Sequence, residues 1–161
     1  MSDFVIAAMT QAEAETVADW HYEPPYDFYD FRADPEDLEE ILDPATRAGD
    51  YHSVYRGDEL AGFFSFKMHG NVVEIGLGLR PDLTGKGLGG PFVDAGIHHA
   101  LSTFSPSELI LDVATFNDRA RKVYERAGFR ASHVWTHESG QGPVEFLRMM
   151  RPAQAPDSSI P

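Results

Sequence analysis

The residues most able to do chemistry in this chain are the glycines of Val72–Gly90, where an apolar strand runs into a turn holding Gly85, Gly87, Gly89 and Gly90 and then into a helix-like stretch. Glycine reaches positive φ without penalty and lets a ligand come close to the backbone. Amides opened by such a turn at a helix start point the same way and add to the helix dipole, which suits a phosphate or pyrophosphate. Two familiar phosphate loops compete for these glycines. The P-loop pattern needs Ser or Thr after its lysine, and Lys86 is followed by Gly87. Gly85, Gly87 and Gly90 match the dinucleotide pattern G-x-G-x-x-G, and Asp112 follows some 20 residues later as a ribose-binding acid would. That pattern expects the first glycine directly after the strand. Here Arg80, Pro81, Asp82, Leu83 and Thr84 intervene, and the preceding segments read as consecutive antiparallel strands.

Two further groups have chemical potential. Alternation along 72–79 puts Glu74 on one strand face with Gly76 and Gly78, which leaves a slot beside a carboxylate. After a strand-like stretch at 108–115, Asn117 is a good helix N-cap, Asp118 suits the first turn and Gly128 suits the position after the helix. Tyr124 lies seven residues after Asn117, two turns further along the same face.

The glycine turn and the run from Asn117 through Tyr124 to Gly128-Phe129 together resemble the GCN5-related N-acetyltransferase (GNAT) superfamily, most specifically from Glu74 to Phe129. The resemblance implies a single α/β (α+β) domain with a mixed, mostly antiparallel sheet of about seven strands and about four helices. It implies acetyl-CoA in a cleft between two splayed parallel strands. The backbone amides of Gly85, Lys86, Gly87, Leu88, Gly89 and Gly90 are then expected at the pyrophosphate, and backbone groups near Leu77 and Leu79 at the pantetheine arm. Asn117 is expected to bond the cofactor, Tyr124 to protonate the leaving thiolate, and Glu74 to take the proton of an incoming ammonium. The family usually has Gln or Arg where Thr84 stands, so a long polar side chain is missing there.

Basic residues gather in this region of an otherwise acidic chain, and Lys86, Arg119 and Arg121 beside the turn and helix start are candidates for cofactor contact. The 20–31 segment concentrates aromatics and acids. In the family this region covers the acceptor pocket, so Tyr22, Tyr26, Tyr29 and Phe31, with Phe28, are candidates for its walls, and Glu23, Asp27 or Asp30 for holding a cationic amine. The alternative is a loop pinned to the core by those same aromatics. With no cysteine to carry an acyl group, direct attack by a small-molecule or protein amine is expected. Rival readings are a non-catalytic acyl-CoA-binding module and a Rossmann-like dinucleotide enzyme.

Positioning these residues requires one domain, and 161 residues with 42% hydrophobic content supply the core for it. Periodicity predicts a strand at Phe4–Ala8, a helix from Thr10 to about Tyr22, a loop to Ala33, and an acidic helix from Pro35 to Leu42. Strands follow at 51–56, 60–69 and 72–79, then the helix after the turn, strand 108–115, helix 117–127 and a hairpin of 129–137 with 144–150. The domain is expected to span 1–151, with 152–161 a disordered tail. A net charge of −13 disfavours nucleic acid and anionic membrane as partners. The lack of cysteine excludes disulfides and thiolate zinc sites, and neither His98/His99 nor His133/His137 has chelating geometry, so no metal is expected. No long apolar run or leader-like N-terminus is present, which reads as a cytoplasmic protein, monomeric or homodimeric.

Overall fold

A computed structural model describes residues 3–139 and 142–154 of the protein. Its centre is a seven-stranded sheet of β1 (Phe4–Ala8), β2 (Tyr51–Arg56), β3 (Glu59–His69), β4 (Val72–Leu79), β5 (Glu108–Ala114), β6 (Arg130–Ser139) and β7 (Gly142–Pro152), in the order β1-β2-β3-β4-β5-β7-β6. Every neighbouring pair is antiparallel except β4 and β5, which run parallel. The helix between those two strands makes the crossover that a parallel pair requires.

The α-helices are α1 (Gln11–Ala18), α2 (Pro35–Leu42), α3 (Pro44–Arg47), α4 (Gly89–Phe104) and α5 (Asp118–Arg126). Thr10 and Glu13 form a reciprocal capping box on α1. The side chain of Asp34 caps α2, with Pro35 in its first turn. Helix α1 ends at Ala18 rather than near Tyr22, and Trp20 packs back onto the core. The expected loop at 23–33 contains two short 3-10 turns, Tyr26–Tyr29 and Phe31–Ala33. Helix α3 was not foreseen. It repeats the Asp-Pro start of α2, with Asp43 accepting from Ala45 N.

The larger core lies between the sheet and α4, with α5 against its flank, around Phe64, Phe66, Phe92, Val73, Ile75, Leu109, Leu111 and Met149. Helix α4 approaches closely because Gly96 meets the Phe64 ring, where a Cβ would come within 2.4 Å of a ring carbon. A smaller cluster of Val17, Ile41 and Tyr51 holds α1 and α2 on the other face. β7 runs through Pro152, one residue beyond the expected domain end, and the remainder of the expected tail, 155–161, lies outside the described residues.

Candidate acetyl-CoA and acceptor site

β4 and β5 pair over three rungs only, Val72 with Glu108, Val73 with Leu109 and Glu74 with Ile110, and then part. Backbone alternation identifies the groups left on the two lips. Arg80 N bonds to Ala61 O on β3, so the polar groups of Leu79 and Leu77 face the opposite way, toward the split. Leu79 O accepts from the Tyr22 hydroxyl at 2.6 Å. Just after β5, Thr115 N bonds to Glu145 O on β7, so Ala114 faces the split, where its N–H donates to the Tyr29 hydroxyl at 3.2 Å. A pair of parallel strands that part in this way, their lips met at Leu79 O and Ala114 N by tyrosine hydroxyls and not by a neighbouring strand, can take a ligand's amide-bearing arm as a substitute strand.

Beyond the open end of β4, the chain makes a 3-10 turn, Pro81–Leu83, and then the glycine turn that heads α4. Gly85 and Gly87 have φ of +72° and +78°, a region that side chains rarely adopt. Leu88 stands at the N-cap and provides no side-chain hydrogen bond, which leaves the amides of Gly89 and Gly90 open. Thr84 Oγ1 donates to Pro81 O at 2.8 Å, so the residue that departs from the family pattern holds the preceding turn in place. Arg119 lies beside the turn, its guanidinium 3.0 Å from where a Gly85 Cβ would sit and 5.5 Å above the Tyr26 ring. Lys86 is exposed. Arg121 shares the α5 face of Asn117 and Tyr124, pairs with Asp118 at 3.1 Å, and keeps a buried Nε with no partner among the described residues.

Asn117 is buried, and its carboxamide is in use. Its Oδ1 accepts from Ala120 N as the cap of α5, and its Nδ2 donates to the Tyr29 hydroxyl at 3.3 Å. Tyr124 packs against Phe129 and the main core. Burial, with Tyr29 nearby, pushes its phenol well above the ordinary range. The Tyr124 hydroxyl makes no hydrogen bond among the described residues, and its raised pKa keeps it protonated at neutral pH.

Glu74 stands on the last rung before the split. Its Oε1 lies 2.8 Å from His69 Nε2, and both line a cavity of about 390 Å³ with Glu108, Ile110 and Arg148. The slot expected beside Glu74 is filled. A Cβ on Gly76 would meet Ser65 Oγ at 2.3 Å, and one on Gly78 would meet the Phe63 ring at 2.5 Å. Those two glycines therefore make room for cross-strand side chains rather than for a ligand. Asp112, the ribose acid of the dinucleotide pattern, is held bidentately by Arg148 and also accepts from Trp135 Nε1 at 3.0 Å.

The aromatic loop divides between the two proposed roles. Phe31 packs on Tyr51 and Phe63 of the smaller core, as an anchor. Tyr26 and Phe28 meet Phe116, and Phe28 also meets Phe146, which forms an aromatic wall near the split. Asp30 is spent on His21 Nδ1 and Tyr22 N. His137 pairs with Asp34, and His133 with Ser132. Sequence reasoning missed His69 and the Asp112–Arg148 pair. The period-2 register of the β3/β4 hairpin contained the signal for His69 and that of β5 with β7 the signal for Asp112–Arg148, because each brings distant polar positions onto one face.

Residues 3–130 match the acetyltransferase (GNAT) domain family. The chain belongs to that family. Among curated proteins, it is 36% identical over 85 residues to the mycothiol acetyltransferase of Corynebacterium efficiens, which covers 52% of this chain and 28% of that protein. The Corynebacterium aurimucosum mycothiol acetyltransferase is 37% identical over 86 residues, 47% of this chain and 27% of that one. The chain thus spans under a third of the length of these relatives. A spermidine N-acetyltransferase SpeG chimera from Vibrio cholerae and hSSAT superposes with a TM-score of 0.77 at 17% identity, covering 94% of this chain and 96% of that one. AAC(6')-Ib in complex with paromomycin and acetyl-CoA gives 0.71 at 19%, covering 98% of both. These likenesses show the fold: one GNAT domain with a seven-stranded mixed sheet. No helix among the described residues is long and apolar enough to cross a membrane.

Proposed function

We propose that the protein transfers the acetyl group of acetyl-CoA to a primary amine, of a small molecule or of a protein, by direct attack in a ternary complex. The observation that carries this reading is the unzipped β4/β5 pair, whose open edge leads from Glu74 toward the uncapped glycine turn of α4. Acetyl-CoA supplies an activated thioester. The amides from Gly85 to Gly90 would take its pyrophosphate, with Lys86, Arg119 and Arg121 supplying positive charge. Leu77 and Leu79 would offer backbone groups to its pantetheine arm. Asn117 would act by holding the start of α5 and the Tyr29 hydroxyl beside that arm.

An alkyl ammonium is almost wholly protonated at neutral pH and cannot attack until one N–H proton leaves. Glu74, at the inner end of the split, would take that proton directly or through water, and His69 within hydrogen-bond distance would steady the carboxylate. Tyr124, kept protonated by burial, would donate to the departing thiolate. The chain has no cysteine to carry an acyl group, and the scheme calls for no metal. A spermidine N-acetyltransferase among the structural neighbours supports an amine as acceptor.

The test is a thermal shift with acetyl-CoA, CoA, NAD and ATP in parallel. Acetyl-CoA at 100 times its Kd should stabilise the fold by about 2.7 kcal/mol. A shift with NAD and none with acetyl-CoA would sink the reading.

A further inference from the structure

The hydroxyl of Tyr29 has an unusual set of partners. Its oxygen accepts from two N–H groups, the backbone amide of Ala114 at 3.2 Å and Asn117 Nδ2 at 3.3 Å. A phenol oxygen has two acceptor positions and one proton. With both acceptor positions taken, only the O–H remains, and it must point away from Ala114 and Asn117. Among the described residues it finds no acceptor. The donor is also fixed in place. The Tyr29 ring packs on Phe28 with centroids 4.0 Å apart, and Ala114 belongs to the β5 lip of the split. Burial raises the phenol's pKa against the opposing pull of its two N–H partners, so the proton stays on at neutral pH.

Its surroundings indicate what the donor would meet. Long side chains on a helix lean back toward the N-terminus, so the Tyr124 side chain reaches toward the start of α5, where Asn117 holds Tyr29. The two phenols are close enough for Tyr29 to act electrostatically on Tyr124. With Tyr124 at the thioester sulfur, a donor beside it falls near the carbonyl oxygen bonded to the adjacent carbon.

We infer that the Tyr29 hydroxyl is a catalytic hydrogen-bond donor to the thioester carbonyl oxygen of bound acetyl-CoA. This rests on the acetyltransferase reading above and adds a residue to it. The bond polarises the carbonyl in the ground state. It strengthens as negative charge gathers on that oxygen when the amine attacks, which is the arrangement that lowers a barrier. Asn117 and Ala114 then act as positioning groups whose N–H bonds also polarise the Tyr29 O–H into a better donor.

The acetyl carbonyl is absent from CoA, which gives a test that needs no acceptor. Calorimetric Kd values are measured for acetyl-CoA and CoA on wild type and on Tyr29→Phe, which keeps the ring and its packing. The inference expects acetyl-CoA to bind about tenfold more weakly to the variant, the scale of one lost hydrogen bond, with CoA binding unchanged. Equal losses for both ligands, or no loss for either, overturn it. Should Tyr29→Phe fold poorly, the infrared carbonyl band of ¹³C-acetyl-CoA bound to wild type decides. A band shifted to lower frequency than in free acetyl-CoA is expected, and an unshifted band overturns the inference. A wild type that binds neither nucleotide overturns the acetyltransferase reading itself, a result distinct from binding without the Tyr29 effect.

Discussion

At the scale of single residues, the proposed mechanism separates two proton tasks. Tyr124 is a phenol held protonated by burial, suited to giving a proton but poorly suited to taking one. Replacing it with Phe keeps the ring against Phe129 and removes only the donor. Turnover should fall about 10² to 10⁴-fold while acetyl-CoA affinity stays nearly constant. Steady-state kinetics beside calorimetry checks this, and unchanged turnover would reduce Tyr124 to a packing residue. The proposal gives Glu74 the opposite task. Because an ammonium must lose a proton before attack, the rate should climb toward alkaline pH, and Glu74→Gln should depress activity chiefly near neutrality, where an assisting base matters most. A pH–rate profile identical to wild type would remove Glu74 from the mechanism. Thr84 is a departure with a visible structural use, since its hydroxyl closes the turn that leads into the glycines. The amides after it depend on backbone conformation and not on that side chain.

At the scale of elements, the glycine turn and α4 carry the next predictions. Gly87 has a positive φ with open space around it, so Gly87→Glu meets no clash but adopts a conformation costing a non-glycine residue about 1–2 kcal/mol. It also places a negative charge where the pyrophosphate is expected. The variant should fold with slightly lower stability and lose the acetyl-CoA thermal shift; retention of the full shift would place the phosphates elsewhere. Farther along α4, His99 stacks on Phe66 and faces His52 on β2, and its buried Nε2 has no partner among the described residues. Burial depresses the pKa of both imidazoles, and His52 and His98 lower that of His99 further. A base whose folded pKa lies below its unfolded value binds its proton more weakly in the fold. Stability is therefore intact above the ordinary value of 6.5 and is lost as pH falls through it toward the depressed value. His99→Phe keeps the stack and removes one titrating group, so its melting temperature should fall less than wild type's between about pH 7.5 and 5.5. Parallel decline of the two proteins would show that the histidine pair does not set this limb. Elements with local signals were legible in the sequence. β1 and α2 have the predicted bounds because a short apolar run holding Val5 and Ile6 and an Asp-Pro cap are properties of a few neighbouring residues. The end of α1 and the filling of the Gly76/Gly78 face were not legible, since Trp20 and Phe63 answer to distant partners on the sheet.

At the scale of the whole molecule, the sheet order creates the opening on which the proposed chemistry rests. A single parallel junction in an otherwise antiparallel sheet opens after three rungs, with α4's glycine turn at one end of the opening and Glu74 at the other. Residues far apart in the chain meet there: Tyr22 and Tyr29 from the loop after α1, Leu79 from β4, Ala114 from β5 and Asn117 from α5. The glycine turn and the Asn117–Tyr124 spacing are visible in sequence because each lies within one segment. The Tyr29–Asn117 contact spans 88 positions and appears only when the fold is assembled. The acidic surface implied by a net charge of −13 suits the proposed attraction of a cationic acceptor, and the basic residues around Arg119 suit the anionic cosubstrate proposed for them. The most direct test incubates the purified protein with acetyl-CoA and a panel of primary amines, following CoA thiol release and identifying products by mass spectrometry. The account predicts release that depends on both acetyl-CoA and a particular amine, with that amine gaining one acetyl group and Tyr124→Phe suppressing it. Binding of acetyl-CoA without acetylation of any small-molecule or peptide amine would contradict the account and leave a binding module in its place.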